Sequence, residues 1–596
     1  MKQFFKFLFA STLGVFLALF LFILVIAGVV GSIATFADKK EVKIEDNSIL
    51  HLKLSNGIVD KPSINPFENF DFGSMRNTTP IGLHNFLTAI EEAKTDERIK
   101  GIYIDMSDFS SGIATAEEVR SKLKSFKESG KFVISYSEVF SQSGYYIASV
   151  ADKVYLNPEG MMEFKGLSSQ IMFFKGALEK LEVEPQIIRH GKFKSAVEPF
   201  FLDKMSEANR AQVLTYLSSI WNTYLTDISD SRNLSVERLN EIADGFLART
   251  TKDALELGMV DKLVYKDEIL AELIELTGAE DIDDLKVIED SKYISSVTGS
   301  KFKNVKSVKD LKKEKIAVIY AEGGISGGNS SQGTIGSETL SKEIRKARLD
   351  EDVKAIVLRV NSPGGSALAS DVIWREVTLA KKEKPFIVSM GNLAASGGYY
   401  ISCAADTIVA DESTITGSIG VFGVLYNFKN MINNKLGITI DTVKVGKYSD
   451  LLSPFRPMTE GERAFMQEFV EQTYDVFITR VSEGRGMTKA QVDSIGQGRV
   501  WTGKDALKLG LVDVIGGLET AIEIAANKAG LENFSAETYP APKNQWEEFI
   551  KELSTEVESR WIKNEVGPAY EYYKSAQSAF DMEGIQARLP YDVDIR

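Results

Sequence analysis

The segment Ser143-Gly144-Tyr145-Tyr146-Ile147 returns as Gly397-Gly398-Tyr399-Tyr400-Ile401, at an offset of 254 in a chain of 596 residues. Gly191-Lys192-Phe193 and Pro199-Phe200 are answered by Gly446-Lys447-Tyr448 and Pro454-Phe455 at an offset of 255. Met205-Ser206-Glu207 with Arg210 is answered by Met458-Thr459-Glu460 with Arg463 at 253, and Lys252-Asp253-Ala254-Leu255 by Lys504-Asp505-Ala506-Leu507 at 252. Four anchors in one order, with so little drift, identify two copies of one domain. Each copy must then fold on one plan, and specialised chemistry is to be sought where the copies differ.

Within a copy, short β-branched runs alternate with amphipathic stretches: Lys354 to Val360, Asp371 to Lys382, Pro385 to Gly391, then Ser396 to Ala405. That alternation predicts an α/β fold of crossover units. Long helical patterns follow at Glu207 to Asp230 and Glu460 to Glu483. The expected organisation is a tail and anchor at 1–36, an N-terminal domain at 45–280, a connector at 281–314 and a C-terminal domain at 315–540. A helical appendix is expected at 541–596, on the aromatic residues Trp546, Phe549, Trp561 and Tyr570.

The anchor rests on Phe7 to Val30, 24 consecutive residues without a charge, preceded by Lys2 and Lys6. At about 1.5 Å per residue such a helix spans a hydrocarbon core of about 30 Å. The run is longer than the apolar region of a cleavable signal peptide. Lys39, Lys40 and Lys43 blunt the orientation signal, but the short lysine-bearing tail is the easier part to leave in the cytoplasm, with the bulk of the chain outside. A net charge of −14 argues against a dedicated nucleic-acid binder. The single cysteine, Cys403, excludes an intrachain disulfide and any multi-cysteine metal site.

Candidate chemistry lies in the asymmetries. The second copy has Asn361-Ser362-Pro363-Gly364-Gly365-Ser366 after a strand, where the first has Ser107-Asp108-Phe109-Ser110-Ser111-Gly112. Adjacent glycines at a strand end let backbone amides approach a ligand, as an oxyanion hole requires. Ala394-Ala395-Ser396-Gly397-Gly398 then sets one serine in a collar of small residues at the start of a helix. In the first copy Gln142 replaces Ser396, whereas Lys194 of the first copy is replaced by Ser449 in the second. Complementary loss of this kind is what one site shared between two degenerate copies leaves behind. A serine nucleophile needs a base, and the histidines, His51, His84 and His190, all lie in the first third. His190, four residues from Lys194, is the imidazole nearest in sequence. A desolvated, neutral lysine amine can take the proton instead, provided the site is buried and poor in carboxylates.

At these residues the chain resembles the signal peptide peptidase A, or protease IV, family of bacterial serine peptidases in its long tandem form. The motifs Asn361 to Ser366, Ala394 to Gly398, Thr416-Gly417-Ser418-Ile419-Gly420 and Lys194 to Phe200 carry the resemblance, which extends over essentially the whole chain. It implies tandem crotonase-like α/β domains akin to the caseinolytic proteases, and a Ser-Lys dyad with Ser396 as nucleophile and Lys194 as general base. It implies the amides of Gly365 and Gly397 as oxyanion donors and Ser418 as the group orienting the lysine. No metal or cofactor is expected. The implied substrates are remnant signal peptides and other apolar peptides, cut by a homotetramer on the outer face of the bacterial cytoplasmic membrane. Two other classes are weighed beside this one. A coenzyme A thioester enzyme would need carboxylates near the glycine turn and no Ser396–Lys194 pair. An inactive membrane scaffold would show the nucleophile eroded in both copies.

Overall fold

The computed structural model describes residues 3–4, 6–7, 9–21, 44–54, 56–62, 70–71, 76–77, 79–303, 314–331, 333–539 and 584–589. The chain is mixed α/β, and its two halves repeat one plan. The N-terminal half holds a sheet whose strands all run parallel, in the order Lys262–Leu263, Lys153–Met162, Phe132–Phe140, Ile99–Asp105, Ser48–Leu52, Val287–Glu289. In the C-terminal half the matching order is Val514–Ile515, Thr407–Ala410, Phe386–Ala395, Val353–Ser362, Glu314–Glu322, Phe534–Thr538, again parallel. Ile415–Gly417 extends the far end of Phe386–Ala395, and Val500–Thr502 closes that edge antiparallel.

These strands read as near-continuous hydrophobic runs because both faces are covered. Ile356 and Leu358 pack into one core with Ile373, Val377 and Phe477, while Val357 and Ile387 face the helix Leu518–Ala529 through Leu518, Ile522 and Ala525. The long helices Glu207–Arg232 and Glu460–Arg485 start at Ser206 and Thr459, whose hydroxyls accept from the amides of Asn209 and Glu462.

A third sheet joins the halves. Its order is Thr334–Gly336, Gly324–Ser326, Gly364–Ser366, Gly584–Arg588, Val421–Asn427, Glu184–His190. Glu184–His190 of the first copy pairs antiparallel with Val421–Asn427 of the second along its whole length, from Glu184 opposite Asn427 to His190 opposite Val421. The halves are also locked by a buried ion cluster. Arg359 donates from Nε to Asp60 at 2.8 Å and from Nη2 to Glu118 at 2.6 Å, and all three side chains are buried. Glu118 also accepts from the amide of Leu518.

Two expectations are corrected. Within the expected connector, Val287–Glu289 is an edge strand on Ser48–Leu52 and Asp290–Lys303 is a helix. A three-residue strand is too short to show a period among Lys and Asp residues. Within the expected helical appendix, Gly584–Arg588 is a strand with partners on both sides, while 540–583 and 590–596 lie outside the described residues. Pairing on both edges decides its state, whatever its local helical propensity. Among the described residues no helix is long and apolar enough to cross a membrane. Residues 9–21 are helical, and the remainder of the expected anchor, at 8 and 22–30, lies outside the described residues.

Candidate active site

Three parallel strands deliver their C-terminal ends to one point, where open α/β sheets place their ligands. Val353–Ser362 leads into the glycine turn, Phe386–Ala395 ends at Ser396, and Ile415–Gly417 ends at Ser418, with Ala394 opposite both Ser362 and Thr416. Ser362 folds back on its own turn, its hydroxyl donating to Gly323 O and accepting from the Gly364 amide. Gly364 has φ 94°, and a Cβ there would come within 2.6 Å of the Gly397 amide nitrogen. The glycine is therefore required by the close approach of the two turns.

Ser396 has φ 55° and ψ −112°, a strained conformation for a residue with a side chain. The surroundings hold it: its amide donates to Gly417 O at 2.8 Å and its carbonyl accepts from Tyr400 N at 2.8 Å. The turn opens the helix Gly397–Ser402 directly behind the hydroxyl.

Lys194 arrives from the other copy. The strand pairing of Glu184–His190 with Val421–Asn427 carries the following loop across the boundary between halves. Phe193 N donates to Gln497 O, while Gln212 on the helix Glu207–Arg232 donates to Phe193 O and Ser195 Oγ and accepts from Val500 N. Gly498, with φ 81°, lies so close that a Cβ would meet Lys194 Cα at 2.6 Å. The result is a Lys194 Nζ 2.8 Å from Ser396 Oγ, 3.1 Å from Ser418 Oγ and 3.2 Å from Ser418 O. Ser418 is fixed in turn by its amide donating to Arg499 O at 2.7 Å.

Lys194, Ser396 and Ser418 are all fully buried. Among the described residues Lys194 has no ion-pair partner, and burial alone drives its amine well below the ordinary lysine value. A neutral amine with a free lone pair, at hydrogen-bond distance from a serine hydroxyl, can take that proton as the oxygen attacks a carbonyl.

The neighbouring candidates point elsewhere. Lys192 is exposed and sits against the Phe193 ring. His190 pairs through Nδ1 with Glu471 at 2.5 Å and stacks on Tyr474. The Cys403 thiol is buried and pushed up to about 12 by desolvation, which keeps it from acting as a thiolate. In the first copy, Gln142 uses its side-chain oxygen to accept from Lys165 N and Gly166 N, at 3.0 Å each, and its amide to donate to Gly166 O. Gln212, Gln497 and Gly498, which hold the lysine loop, were not singled out by the sequence. Their roles arise from contacts across the halves that no spacing encodes.

The sequence profile of Peptidase family S49 matches residues 125–280 and 378–532, one match in each copy. Protease 4 of Haemophilus influenzae is 39% identical over 455 residues, 75% of this chain and 72% of that protein. Protease 4 of Salmonella typhi is 38% identical over 504 residues, 82% of this chain and 80% of that protein. The chloroplastic serine protease SPPA of Arabidopsis thaliana is 34% identical over 451 residues, 74% of this chain and 64% of that protein. None of these similarities supports the thioester-enzyme or scaffold readings. With two profile matches and relatives aligned over most of their length, the chain belongs to peptidase family S49 and is a serine peptidase.

Proposed function

We propose that this protein is a membrane-anchored endopeptidase that degrades remnant signal peptides after their release from preproteins, with Ser396 as nucleophile and Lys194 as general base. The observation that carries the reading is the 2.8 Å contact of a buried lysine amine, paired with no carboxylate among the described residues, with a buried serine hydroxyl. Lys194 removes the Ser396 proton as Oγ attacks the scissile carbonyl, and the resulting ammonium protonates the leaving amine. The amides of Gly365 and Gly397 receive the developing oxyanion, where close, preorganised donors lower the barrier most. Ser418 holds the lysine amine in line.

Tandem crotonase-like domains akin to the caseinolytic proteases suit the parallel sheets and the ligand position at their C-terminal edge. The apolar run from Phe7 to Val30 supports a single membrane anchor, with the catalytic domains on the outer face of the bacterial cytoplasmic membrane. A tethered enzyme meets apolar peptides leaving the bilayer at high effective concentration. Exposed Leu436, Ile438, Val443, Val445 and Phe455 give copies of the chain a surface to bury in a homotetramer.

The test is labelling with a serine-reactive fluorophosphonate, alongside cleavage of a synthetic signal peptide in detergent. Ser396→Ala and Lys194→Ala should each abolish both signals while leaving folding and assembly intact, because nucleophile and base act as a unit. Peptide hydrolysis that survives Ser396→Ala would refute the assignment.

A further inference from the structure

Residues 497–501 of the second copy meet the machinery of the site along one side. Gln497 O accepts from Phe193 N at 3.0 Å, and Gly498 presses on the Lys194 backbone, where a Cβ would come within 2.6 Å. Arg499 O accepts from Ser418 N at 2.7 Å. Trp501 lies opposite Thr416, whose hydroxyl donates to Ala394 O, two residues before Ser396. One short segment thus touches the base, the group beside it and the strands that carry the nucleophile.

The Arg499 side chain adds a contact of its own. Its guanidinium lies 5.0 Å from the centre of the Phe193 ring and 4.2 Å from that of Trp501, so one planar cation joins a ring of the first copy to a ring of the second. Trp501 is fixed by its indole N–H, which donates to Ile495 O at 3.0 Å. Among the described residues Arg499 has no ion-pair partner, so its charge faces aromatic rings and not a carboxylate. Each ring attracts a cation over its face, more strongly where water is partly excluded. Phe193 immediately precedes Lys194, and its amide and carbonyl are already taken by Gln497 and Gln212. The ring is the remaining freedom of that residue, and Arg499 holds it.

The repeat marks this contact as specialised. At the offset of 252 that relates Lys504 to Lys252, the residues Gly498, Arg499 and Trp501 correspond to Phe246, Leu247 and Arg249. The backbone is shared, since Gly498 and Phe246 both lie at positive φ, 81° and 46°. Phe246, however, carries the side chain for which Gly498 has no room, and it is 47% exposed where Gly498 is covered by the lysine loop. Arg249 donates from Nε to Phe246 O at 2.9 Å. The glycine, the arginine and the tryptophan are therefore missing together from the copy that lacks the nucleophile. The same complementary difference distinguishes Ser396 from Gln142.

We propose that Arg499 is a positioning residue for the reaction: by holding Phe193 against Trp501 it fixes how Lys194 is seated against Ser396 and Ser418. The proposal rests on the Ser396–Lys194 reading above and adds to it the side chain that places the base. The amine faces Ser396 Oγ, the Ser418 hydroxyl and carbonyl, and the Phe422 ring at 5.9 Å. A loosened Phe193 lengthens the path of the proton and lets water reach the amine, and a hydrated amine keeps its proton to higher pH.

The experiment uses the full chain in detergent and reads kcat and KM for a synthetic signal peptide, together with the pH dependence of Ser396 acylation by a fluorophosphonate. Arg499→Ala, Arg499→Lys and Phe193→Ala should each lower kcat roughly 3- to 30-fold, leave KM nearly unchanged and move the rising limb toward alkali. Arg499→Lys keeps the charge without the flat face, so its loss separates stacking from charge. Phe193→Tyr, which keeps a ring, should recover most of what Phe193→Ala loses. Arg499→Ala combined with Phe193→Ala should be no slower than the worse single variant, since both break one contact. Lys447→Ala, in the corresponding loop of the second copy where Lys447 lies over Tyr448, should leave rate and limb as they are. An Arg499→Ala enzyme with wild-type kcat and limb, or one that loses only melting temperature, would overturn the proposal. So would full activity in Arg499→Lys, or losses that add in the double variant. A wild-type chain that is not acylated at Ser396 would instead remove the dyad reading itself.

Discussion

Ser418 offers the sharpest test of how the lysine is held. Ser418→Ala deletes one of three oxygens around Lys194 Nζ, the hydroxyl at 3.1 Å, and spares Ser418 O at 3.2 Å and Ser396 Oγ at 2.8 Å. In a buried site, an unmet donor costs about 1–3 kcal/mol. If that cost falls on the reacting geometry, Ser396 acylation slows by roughly 5- to 150-fold, at about 1.36 kcal/mol per factor of ten. The pH profile should move as well. An acceptor near the amine favours the ammonium, so its removal lowers the Lys194 pKa further and shifts the rising limb of activity toward acid. Ser418 also sits at φ 51°, so Ser418→Gly is the control: it relieves the backbone and lacks the hydroxyl. Both variants should lose rate alike, measured as the pH dependence of fluorophosphonate acylation. If Ser418→Ala kept the wild-type rate and limb, the hydroxyl would be a turn feature only and the orienting role would fall.

Other expectations follow from the same geometry. Lys192→Ala and His190→Ala should both retain activity that rises with pH, because Lys192 is exposed and His190 is engaged with Glu471; loss of the limb in His190→Ala alone would replace lysine by imidazole as the base. Lys194→Met should raise thermal stability while abolishing activity. With a folded pKa well below 10.5, the unfolded chain binds the extra proton between the two values, so the buried amine costs stability there and the cost fades as pH climbs toward 10.5. The gain in melting temperature should therefore shrink with rising pH, and a gain that grows with pH would contradict the depressed pKa. Arg359→Met strands Asp60 and Glu118 in the interior, at a cost of about 3–5 kcal/mol, read as a lower urea midpoint.

Much of this was legible because the chain repeats itself. The alternation around Val353–Ser362 and Phe386–Ala395 is set by local burial on a parallel sheet, and the exchange of Ser396 for Gln142 and of Lys194 for Ser449 showed which side chains to bring together. How they meet was not legible. The pairing of Glu184–His190 with Val421–Asn427 joins segments more than two hundred residues apart, and register between distant strands leaves no mark on either one. Nor does a lone arginine in a hydrophobic strand announce that Arg359 will find Asp60 and Glu118 in the other copy. The strand at Gly584–Arg588 escaped notice for a related reason. Its alternation of Ile585, Ala587 and Leu589 is short, and aromatic residues earlier in the segment suggested a helix.

The first copy also shows why the protein has one site and not two. Restoring a serine at Gln142 would not rebuild a nucleophile, because the position of Lys194 is held in the other copy by Ser449, on an exposed loop. The oxyanion side is lost as well. Where the second copy presents glycine amides, the first has Ser110 and Ser111, and the Ser111 hydroxyl is committed to the amide and carbonyl of Ile58. Asp108 accepts from Ser141 and Ser143 at 2.5 and 2.7 Å, on either side of Gln142. A carboxylate there repels an oxyanion and would hold any lysine brought to it as the ammonium, the wrong state for a base. The changes in the first copy thus form a set. Once the base loop of one half had docked on the nucleophile of the other, residues around Gln142 were free to serve the fold, which they do by pinning the Lys165–Gly166 turn.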